Sequence, residues 1–159
     1  MPNIFPYSTV EPAKAVGVAD KVLNDYFAIA RGLGIPSCLA YGLCLGFIRD
    51  GGYISGDNDL DVVAITPTNW LTQELLDALT ANGFKRGEVF HPPHNNAHFH
   101  RDNILLDIFF RKPETYYGVF DTVMYGGGIY PVPYPVEDYL VANYDNWKVK
   151  ADRDGKVGL

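Results

Sequence analysis

The sequence has no long apolar run, and this shortage excludes a membrane-spanning helix. The longest apolar stretch, over residues 38–48, is already interrupted by a tyrosine and two glycines. A spanning helix needs about 18 or more apolar residues in succession. The first five residues also lack the charged and then apolar pattern of a signal peptide. We therefore expect a soluble, cytoplasmic protein with no transmembrane segment.

Basic residues and cysteines are also scarce. The formal net charge is −6, whereas proteins that bind a nucleic acid backbone usually carry a basic face, so we expect no nucleic acid partner. The two cysteines, Cys38 and Cys44, lie among apolar neighbours and show none of the spacings of a zinc site. Buried free thiols are expected in preference to a disulfide.

What the chain does contain is enough apolar sequence for one ordinary core. Its 159 residues are 47% apolar, which suits a single domain over residues 1–159. Residues 1–9 contain two prolines and no period and are expected to form an N-terminal arm, and residues 148–159 a charged tail.

Helical and extended apolar periods are mixed along the chain, which predicts an α+β fold. The helix predicted over residues 68–82 is expected to start at an N-cap formed by Thr68 or Asn69, and Asp102-Asn103 is expected to form a hairpin tip. Gly126-Gly127-Gly128 lacks the Lys-Ser/Thr of a phosphate loop and is interpreted as a turn. Helices are predicted over residues 11–31, 43–49, 68–82 and from 135 onward, and strands over residues 37–41, 60–65, 84–90, 97–101 and 104–110.

An acidic segment before the second predicted strand is the main chemical feature of the sequence. Asp59 and Asp61 are two residues apart, so in an extended chain they share one face, about 7 Å apart. Carboxylates that close repel each other, and a divalent cation is the usual partner that relieves the repulsion. The residues around them, Asp57 and Asn58, offer further oxygen atoms.

Asp107 is the only charge inside the predicted strand 104–110. Removing a carboxylate from water costs several kcal/mol unless a cation or strong donors replace the solvent. Bringing Asp107 beside Asp59 and Asp61 would form a three-carboxylate metal site. The alternatives are that Asp107 caps a helix or pairs with one of three arginines, Arg49, Arg101 or Arg111.

Two further segments have open interpretations. A strand that runs into Gly42 and then a helix start presents backbone N–H groups to which a phosphate could bind, although a simple tight turn gives the same pattern. Four histidines lie within ten residues, and His98 and His100 share a strand face. Contact with substrate or phosphate is favoured for one of these two over a zinc site, and surface exposure for His91 and His94.

An ordered set of motifs resembles the signature of the LicD family, which includes the fukutin-type phosphotransferases. Its first part is Tyr41-Gly42-x-x-Leu45-Gly46-x-x-Arg49, followed by Gly52-Tyr53-Ile54 and Asp57-Asn58-Asp59-Leu60-Asp61-Val62. Leu106-Asp107-Ile108-Phe109 and the segments over residues 132–140 and 144–147 resemble its later parts. The resemblance spans about residues 38 to 148.

The resemblance implies a nucleotidyltransferase-type fold, a small mixed β-sheet flanked by helices. It also implies Mg²⁺, as two ions, or Mn²⁺ in its place, held by Asp59, Asp61 and Asp107. Members transfer phosphocholine or a polyol phosphate from a CDP-linked donor to a sugar or another hydroxyl acceptor. The same three aspartates are expected to act in catalysis. The nucleotide and its phosphates are expected to bind at Gly42, Leu43, Gly46 and Arg49. The substrate is expected to bind at Asp57, Asn58, His98 and His100.

Three positions depart from the family pattern. Leu43 replaces a Ser or Thr, Gly56 a tryptophan and Asn58 an aspartate. Leu43 offers no hydroxyl to a donor phosphate. Two alternatives therefore stand beside the phosphotransferase prediction: transfer of a nucleoside monophosphate to a small molecule or protein, and a degenerate, non-catalytic domain that binds a nucleotide or sugar.

Overall fold

The structure is a computed structural model that describes residues 9–115 and 119–150. Its helices are α1 (Val16–Gly32), α2 (Tyr41–Arg49), α3 (Gln73–Ala81) and α4 (Val136–Tyr144). Its strands are β1 (Ser37–Leu39), β2 (Asp59–Ile65), β3 (Lys85–Phe90), β4 (Asn96–Arg101), β5 (Ile104–Arg111), β6 (Phe120–Tyr125) and β7 (Gly128–Pro133). Short 3₁₀ turns cover Pro12–Lys14 and Pro113–Thr115.

Five of the strands form one mixed sheet in the order β1-β2-β5-β4-β3. β2 and β5 are parallel, and the other neighbours are antiparallel. β6 and β7 form a separate two-stranded hairpin. The α+β class and the mixed sheet flanked by helices are therefore confirmed.

One face of the sheet is covered by helices and forms the core. Alternate residues of the central strands point to it, and their side chains join those of α1 and α3 in one apolar cluster. The central-strand members of this cluster are fully buried: Leu60, Val62 and Ala64 of β2, Leu106, Ile108 and Phe110 of β5, and Ala97 and Phe99 of β4. Each large side chain contributes about 1.5–3 kcal/mol through its burial.

The residues between them point to the opposite side, which we call the open face. Strand register arranges this face in rows that run across the sheet. Its members are Asp59, Asp61 and Val63 of β2; Leu105, Asp107 and Phe109 of β5; His100, His98 and Asn96 of β4; and Lys85 and Phe90 of β3. Tyr41 and Phe120 pack over the Val63 end, so the polar residues remain at the other end.

The hairpin is attached to the helices by tyrosines. The Tyr125 hydroxyl donates to Asp20 of α1 at 2.8 Å, and the Tyr130 hydroxyl donates to Asn24 at 2.6 Å. The Tyr125 ring stacks on Phe47 of α2 with centroids 4.1 Å apart. These contacts join α1, α2 and the hairpin.

The structure corrects two predicted helix starts. The first helix begins at Val16, after the 3₁₀ turn that contains Pro12. The helix predicted from residue 68 is α3, which begins at Gln73. Thr72 is its N-cap and accepts from the Leu75 N–H at 3.2 Å. Thr68 and Asn69 are not its N-cap, because they lie in a turn that precedes the helix. This turn is closed by the Thr66 hydroxyl, which accepts from the Trp70 N–H at 2.9 Å.

Other predictions fare differently. Both cysteines are buried free thiols, as expected, and Asp102-Asn103 is the β4–β5 turn, with positive φ at both residues. The hairpin β6–β7 was not predicted. In the part of the chain that the structure describes, no helix has the length and apolar character to span a membrane. Residues 1–8 of the expected arm and 151–159 of the expected tail lie outside the described residues.

Candidate active site

Three carboxylates meet on the open face, at the polar end of the two parallel strands. Asp61 of β2 lies directly opposite Asp107 of β5, and Asp59 lies on the same face one row away. One ligand oxygen from each residue lies within 4.8 Å of those of the others. Asp61 and Asp107 are only 8% and 6% exposed. The structure therefore brings together the three aspartates that the sequence singles out.

The carboxylates repel one another. Burial, followed by the charges of Asp107 and Asp57, raises the pKa of Asp59 to about 6. Burial, followed by the charges of Asp59, Asp107 and Asp57, also raises the pKa of Asp61, against a hydrogen bond from the Gly42 N–H that lowers it. A cluster with this much unneutralised charge favours a bound cation. Three carboxylates without nitrogen or sulfur ligands suit a hard ion such as Mg²⁺ or Mn²⁺.

Asp107 is held in place by two side chains of β4. The Asn96 amide, 7% exposed, donates to Asp107 Oδ1 at 2.8 Å, and His98 Nε2 lies 3.5 Å from Asp107 Oδ2. Burial lowers the pKa of His98, but hydrogen bonding to Asp107 and the charges of Asp107, Asp59 and Glu88 outweigh it, so the net shift is upward. The prediction of His98 beside the site therefore has geometric support.

Asn96 was missed by the sequence interpretation. Its only signal is that asparagine is uncommon in strands, and the contact depends on the register that places β4 beside β5. Tyr144 of α4 was missed as well. Burial and then the charges of Asp61 and Asp57 raise its pKa, because they disfavour the phenolate.

The first N–H groups of α2 are engaged by the protein. The Tyr41 N–H donates to the Tyr139 hydroxyl of α4 at 2.8 Å, and the Gly42 N–H donates to the Asp61 carboxylate. A carboxylate at a helix N-terminus is electrostatically favourable. The helix start that was expected to bind a phosphate thus donates to Asp61 in this structure, and its contact with a phosphate stays a prediction.

The glycines of α2 allow the segment before β2 to approach closely. A Cβ atom on Gly42 would collide with the Asp57 carboxylate, and one on Gly46 would collide with the Gly52 carbonyl. Gly42, Asp57 and Asp59 line one groove, together with Leu43 and Tyr53. Asp57 therefore lies beside the metal cluster, while Gly46 serves packing against the loop.

The remaining predicted residues lie farther from the cluster or in the core. Arg49 ends α2, and its Nε donates to Asp50 at 2.8 Å. Leu43 is 3% exposed and belongs to the core. Asn58 is exposed. His100 lies on the open face opposite Leu105, one row from Asp107.

The outer two histidines do not join the site. His91 and His94 are both exposed, and the His91 ring stacks on Trp70 with centroids 5.1 Å apart. Within residues 9–115 and 119–150, the group of three or more potential metal ligands consists of the three aspartates and includes no histidine. The zinc alternative for the histidine segment therefore gains no support.

Comparison with known proteins identifies the fold. No family model matches this sequence, and neither does any curated protein. The solution structure of the antibiotic-resistance factor ANT(2'')-Ia matches with a TM-score of 0.52 and 11% identity over 80% of this chain and 77% of that chain. A crystal structure of ANT(2'')-Ia in complex with adenylyl-2''-tobramycin matches with a TM-score of 0.45 and 17% identity. That match covers 56% of this chain, which spans only 47% of the other.

The fold is therefore of the nucleotidyltransferase type, as expected. The likeness in sequence is too low to carry activity or substrate with it. The more specific resemblance to the LicD family is not tested by these comparisons and stays a prediction.

Proposed function

We propose that this protein is a metal-dependent transferase that moves a phospho-substituent from a nucleotide-linked donor to a hydroxyl group of a sugar or small molecule. The observation that supports the proposal is the cluster of Asp59, Asp61 and Asp107, three carboxylates with ligand atoms within 4.8 Å of one another. Transfer of a phosphorus-centred group depends on positioning and charge neutralisation more than on covalent chemistry. A cluster of this kind on a nucleotidyltransferase-type fold meets both needs.

Each aspartate has a distinct place in the proposed site. Asp59 and Asp61 come from one strand and Asp107 from its parallel neighbour, so they would hold Mg²⁺ or Mn²⁺ between two strands. Such an ion, when bound, neutralises the charge of the donor phosphates and polarises the phosphorus being attacked. Gly42 and Asn96 orient Asp61 and Asp107 through their N–H groups.

The proposed reaction forms one bond and breaks one bond. The acceptor hydroxyl oxygen bonds to the donor phosphorus, and the bond between that phosphorus and the oxygen of the nucleoside monophosphate breaks. The hydroxyl proton passes to Asp107, whose Oδ2 faces His98 at 3.5 Å. By the LicD resemblance, the donor is CDP-linked and the leaving group is cytidine monophosphate.

A second candidate uses the same residues with a different leaving group. In nucleotidyl transfer the acceptor hydroxyl attacks the α-phosphorus of a nucleoside triphosphate, and pyrophosphate leaves. The similarity of fold to ANT(2'')-Ia over 80% of this chain favours this candidate. The acceptor would then be a small molecule that carries the nucleoside monophosphate afterwards.

Product analysis separates these candidates. The protein is incubated with Mg²⁺, a pooled set of polyol and sugar acceptors and either CDP-linked donors or nucleoside triphosphates, and the released nucleotide is identified. Release of cytidine monophosphate supports the first proposal, and release of pyrophosphate with a nucleotide-bearing acceptor supports the second.

The matched variants are Asp107→Asn and Asp77→Asn. Asp77 is exposed on α3, a helix that packs on the core side of the sheet, so its variant controls for the loss of one negative charge. We expect Asp107→Asn to abolish turnover and Asp77→Asn to retain it. If neither class of donor is consumed and Mg²⁺ does not stabilise the protein, the third alternative, a non-catalytic binding domain, replaces both candidates.

A further inference from the structure

The open face has a second polar region beyond the carboxylates, on β4 and β3. Register places Asp59 opposite Leu105 on β5, Leu105 opposite His100 on β4, and His100 opposite Lys85 on β3. These four residues therefore form one row on the same face of the sheet. Because neighbouring strands are about 4.8 Å apart, the backbone of His100 lies roughly 10 Å from that of Asp59, and the backbone of Lys85 roughly 14 Å.

His100 and Lys85 line a cleft. Its volume is about 340 Å³, and the turn residues Asp102 and Asn103 form its end, with Arg101 also in its lining. Lys85 is exposed and His100 is half-buried. Burial and the nearby Lys85 charge lower the pKa of His100, which shows that the two side chains act on each other. The cleft thus presents a fixed positive charge beside an imidazole.

The other basic groups near the site are committed to protein partners. Arg49 pairs with Asp50, Arg101 pairs with Asp25 at 2.7 Å, and Arg111 Nη1 donates to the Phe110 carbonyl at 2.9 Å. The α2 N–H groups of Tyr41 and Gly42 are also engaged. By contrast, across residues 9–115 and 119–150 no ion pair involves Lys85.

We propose that Lys85 and His100 form an anion subsite that receives a phosphate or carboxylate group of the substrate, in the row of Asp59 and two to three strands away from it. This inference rests on the proposed function, because the substrate is that of the proposed transferase. It adds the chemical class of the group that the substrate carries, a phosphate or a carboxylate. A substrate that spans the row would place its reacting end at the aspartates and its anionic end at Lys85. The ammonium group supplies charge, and the imidazole supplies a directed hydrogen bond.

The anion has two possible sources with the same chemistry. An acceptor that carries its own phosphate or carboxylate, such as a sugar phosphate, would use the subsite to orient its hydroxyl toward the metal cluster. Alternatively, the subsite would bind a phosphate group of the nucleotide donor. The test therefore needs one arm for each source.

The first measurement uses inorganic phosphate alone and needs no metal. The His100 imidazole signal is followed by NMR during a phosphate titration at constant pH and ionic strength, with a chelator present. We expect a saturable shift that weakens about tenfold in Lys85→Gln, the change expected for loss of one charge-assisted contact. Arg86→Gln is the matched control, because Arg86 is an exposed cation on the same strand whose Cα partner is Phe99, on the helix-covered face.

The second measurement identifies the source. Titrations with a sugar phosphate against the free sugar, and with CDP against cytidine, are made on wild type and Lys85→Gln. If Lys85→Gln selectively weakens binding of the sugar phosphate, the subsite belongs to the acceptor. If it selectively weakens binding of CDP, the subsite belongs to the donor. The proposal is overturned if wild type shows no saturable shift, if Arg86→Gln weakens binding as much as Lys85→Gln, or if neither ligand is weakened.

Failure here is distinguishable from failure of the proposed function. The phosphate titration is made without metal, so it does not depend on Asp59, Asp61 or Asp107. Conversely, the loss of metal-dependent turnover in Asp107→Asn tests the transferase proposal without reference to Lys85. Each result therefore bears on one proposal alone.

Discussion

On β5, Leu106, Ile108 and Phe110 face the helices and are fully buried, whereas Leu105, Asp107 and Phe109 alternate with them on the open face. The first set contributes stability through burial of apolar surface. On the second face, burial and then the charges of neighbouring carboxylates, including Asp107, raise the pKa values of Asp59 and Asp61 on the adjacent strand. Their repulsion lowers the stability of the metal-free protein at neutral pH. One strand therefore carries both the core and the strained site, separated by a single residue step.

The two faces of β5 show how the protein tolerates the repulsion between the clustered carboxylates. Asp107 is as buried as a core residue, at 6% exposure. The Asn96 amide donates to its carboxylate, and its backbone is paired with β2. The helix-covered side provides the stability that the carboxylates subtract. Functional sites are often places where local stability is given up in this way.

The largest expected effect comes from truncating neighbouring phenylalanines on opposite faces. Phe110 is 0% exposed within the core, so Phe110→Ala should cost about 3–5 kcal/mol of unfolding free energy. Phe109 is half-buried against Tyr41, so Phe109→Ala should cost about 1–2 kcal/mol, because less apolar surface is exposed. Urea unfolding of both variants measures the difference. Equal losses would mean that the open face contributes to the core as much as the helix-covered face.

The next effect concerns the repulsion itself. Asp61→Asn removes one of the clustered charges but keeps an oxygen that accepts the Gly42 N–H, so the metal-free variant should be about 1–2 kcal/mol more stable than wild type. Wild type with Mg²⁺ at 100 times its dissociation constant should gain about 2.7 kcal/mol, and the variant should gain little. Thermal unfolding with chelator and with Mg²⁺ gives both quantities.

The opposite result for Asp61→Asn would be decisive. A metal-free variant less stable than wild type, together with an unchanged Mg²⁺ effect, would show that the carboxylates serve structure and that the metal binds elsewhere. Asp77→Asn again provides the control, because Asp77 is exposed on α3.

A smaller effect is expected from the residue that orients Asp107. Asn96→Ala removes the amide that donates to Oδ1 at 2.8 Å, and loss of such supporting contacts typically weakens metal affinity about 10-fold to 100-fold. We expect the lower end, because His98 still contacts Oδ2. Calorimetric titration with Mn²⁺ measures the affinity.

The control for Asn96 is Asn82→Ala. The exposed Asn82 donates its amide to the Ala78 carbonyl of α3 at 2.7 Å, so it carries a similar hydrogen bond away from the carboxylates. If both variants bind Mn²⁺ like wild type, Asn96 is a packing residue only.

The sequence predicts the cluster of three aspartates better than its surroundings, and the reason is physical. Asp59 and Asp61 follow a two-residue period, and Asp107 interrupts an apolar strand at a cost that demands a partner. Asn96 depends on strand register, which no local pattern specifies before the order β5-β4 is known. Contacts made across the sheet are therefore the part of the site that sequence reasoning misses.

The fold shows the same division. Periodicity predicts the long helix and the central strands, and the α+β class follows. The hairpin β6–β7 was not predicted, because its second strand contains Pro131 and Pro133. Proline argues against a strand except at the edge of a sheet. The Thr66 turn competes with the predicted helix start, and only tertiary structure decides between Thr68 and Thr72.

The smallest effect tests the electrostatics of the open face through pH. The pKa of Asp59 is raised to about 6 in the folded protein, whereas the unfolded chain has the usual value of about 3.9. The folded state therefore holds this proton more tightly, which favours folding at low pH, and that contribution is lost as the pH rises through about 6. Asn at this position does not titrate.

In the absence of metal, the stability of Asp59→Asn relative to wild type should therefore increase from about pH 4 to about pH 6 and stay constant above. The difference between the two proteins cancels the titration of groups elsewhere, such as Asp25 and Asp50, whose pKa values are lowered by their basic partners despite partial burial. Urea unfolding at intervals across this range measures it. A difference that does not change with pH would mean that the three carboxylates are not close enough to sense one another, and the metal site would lose its main support.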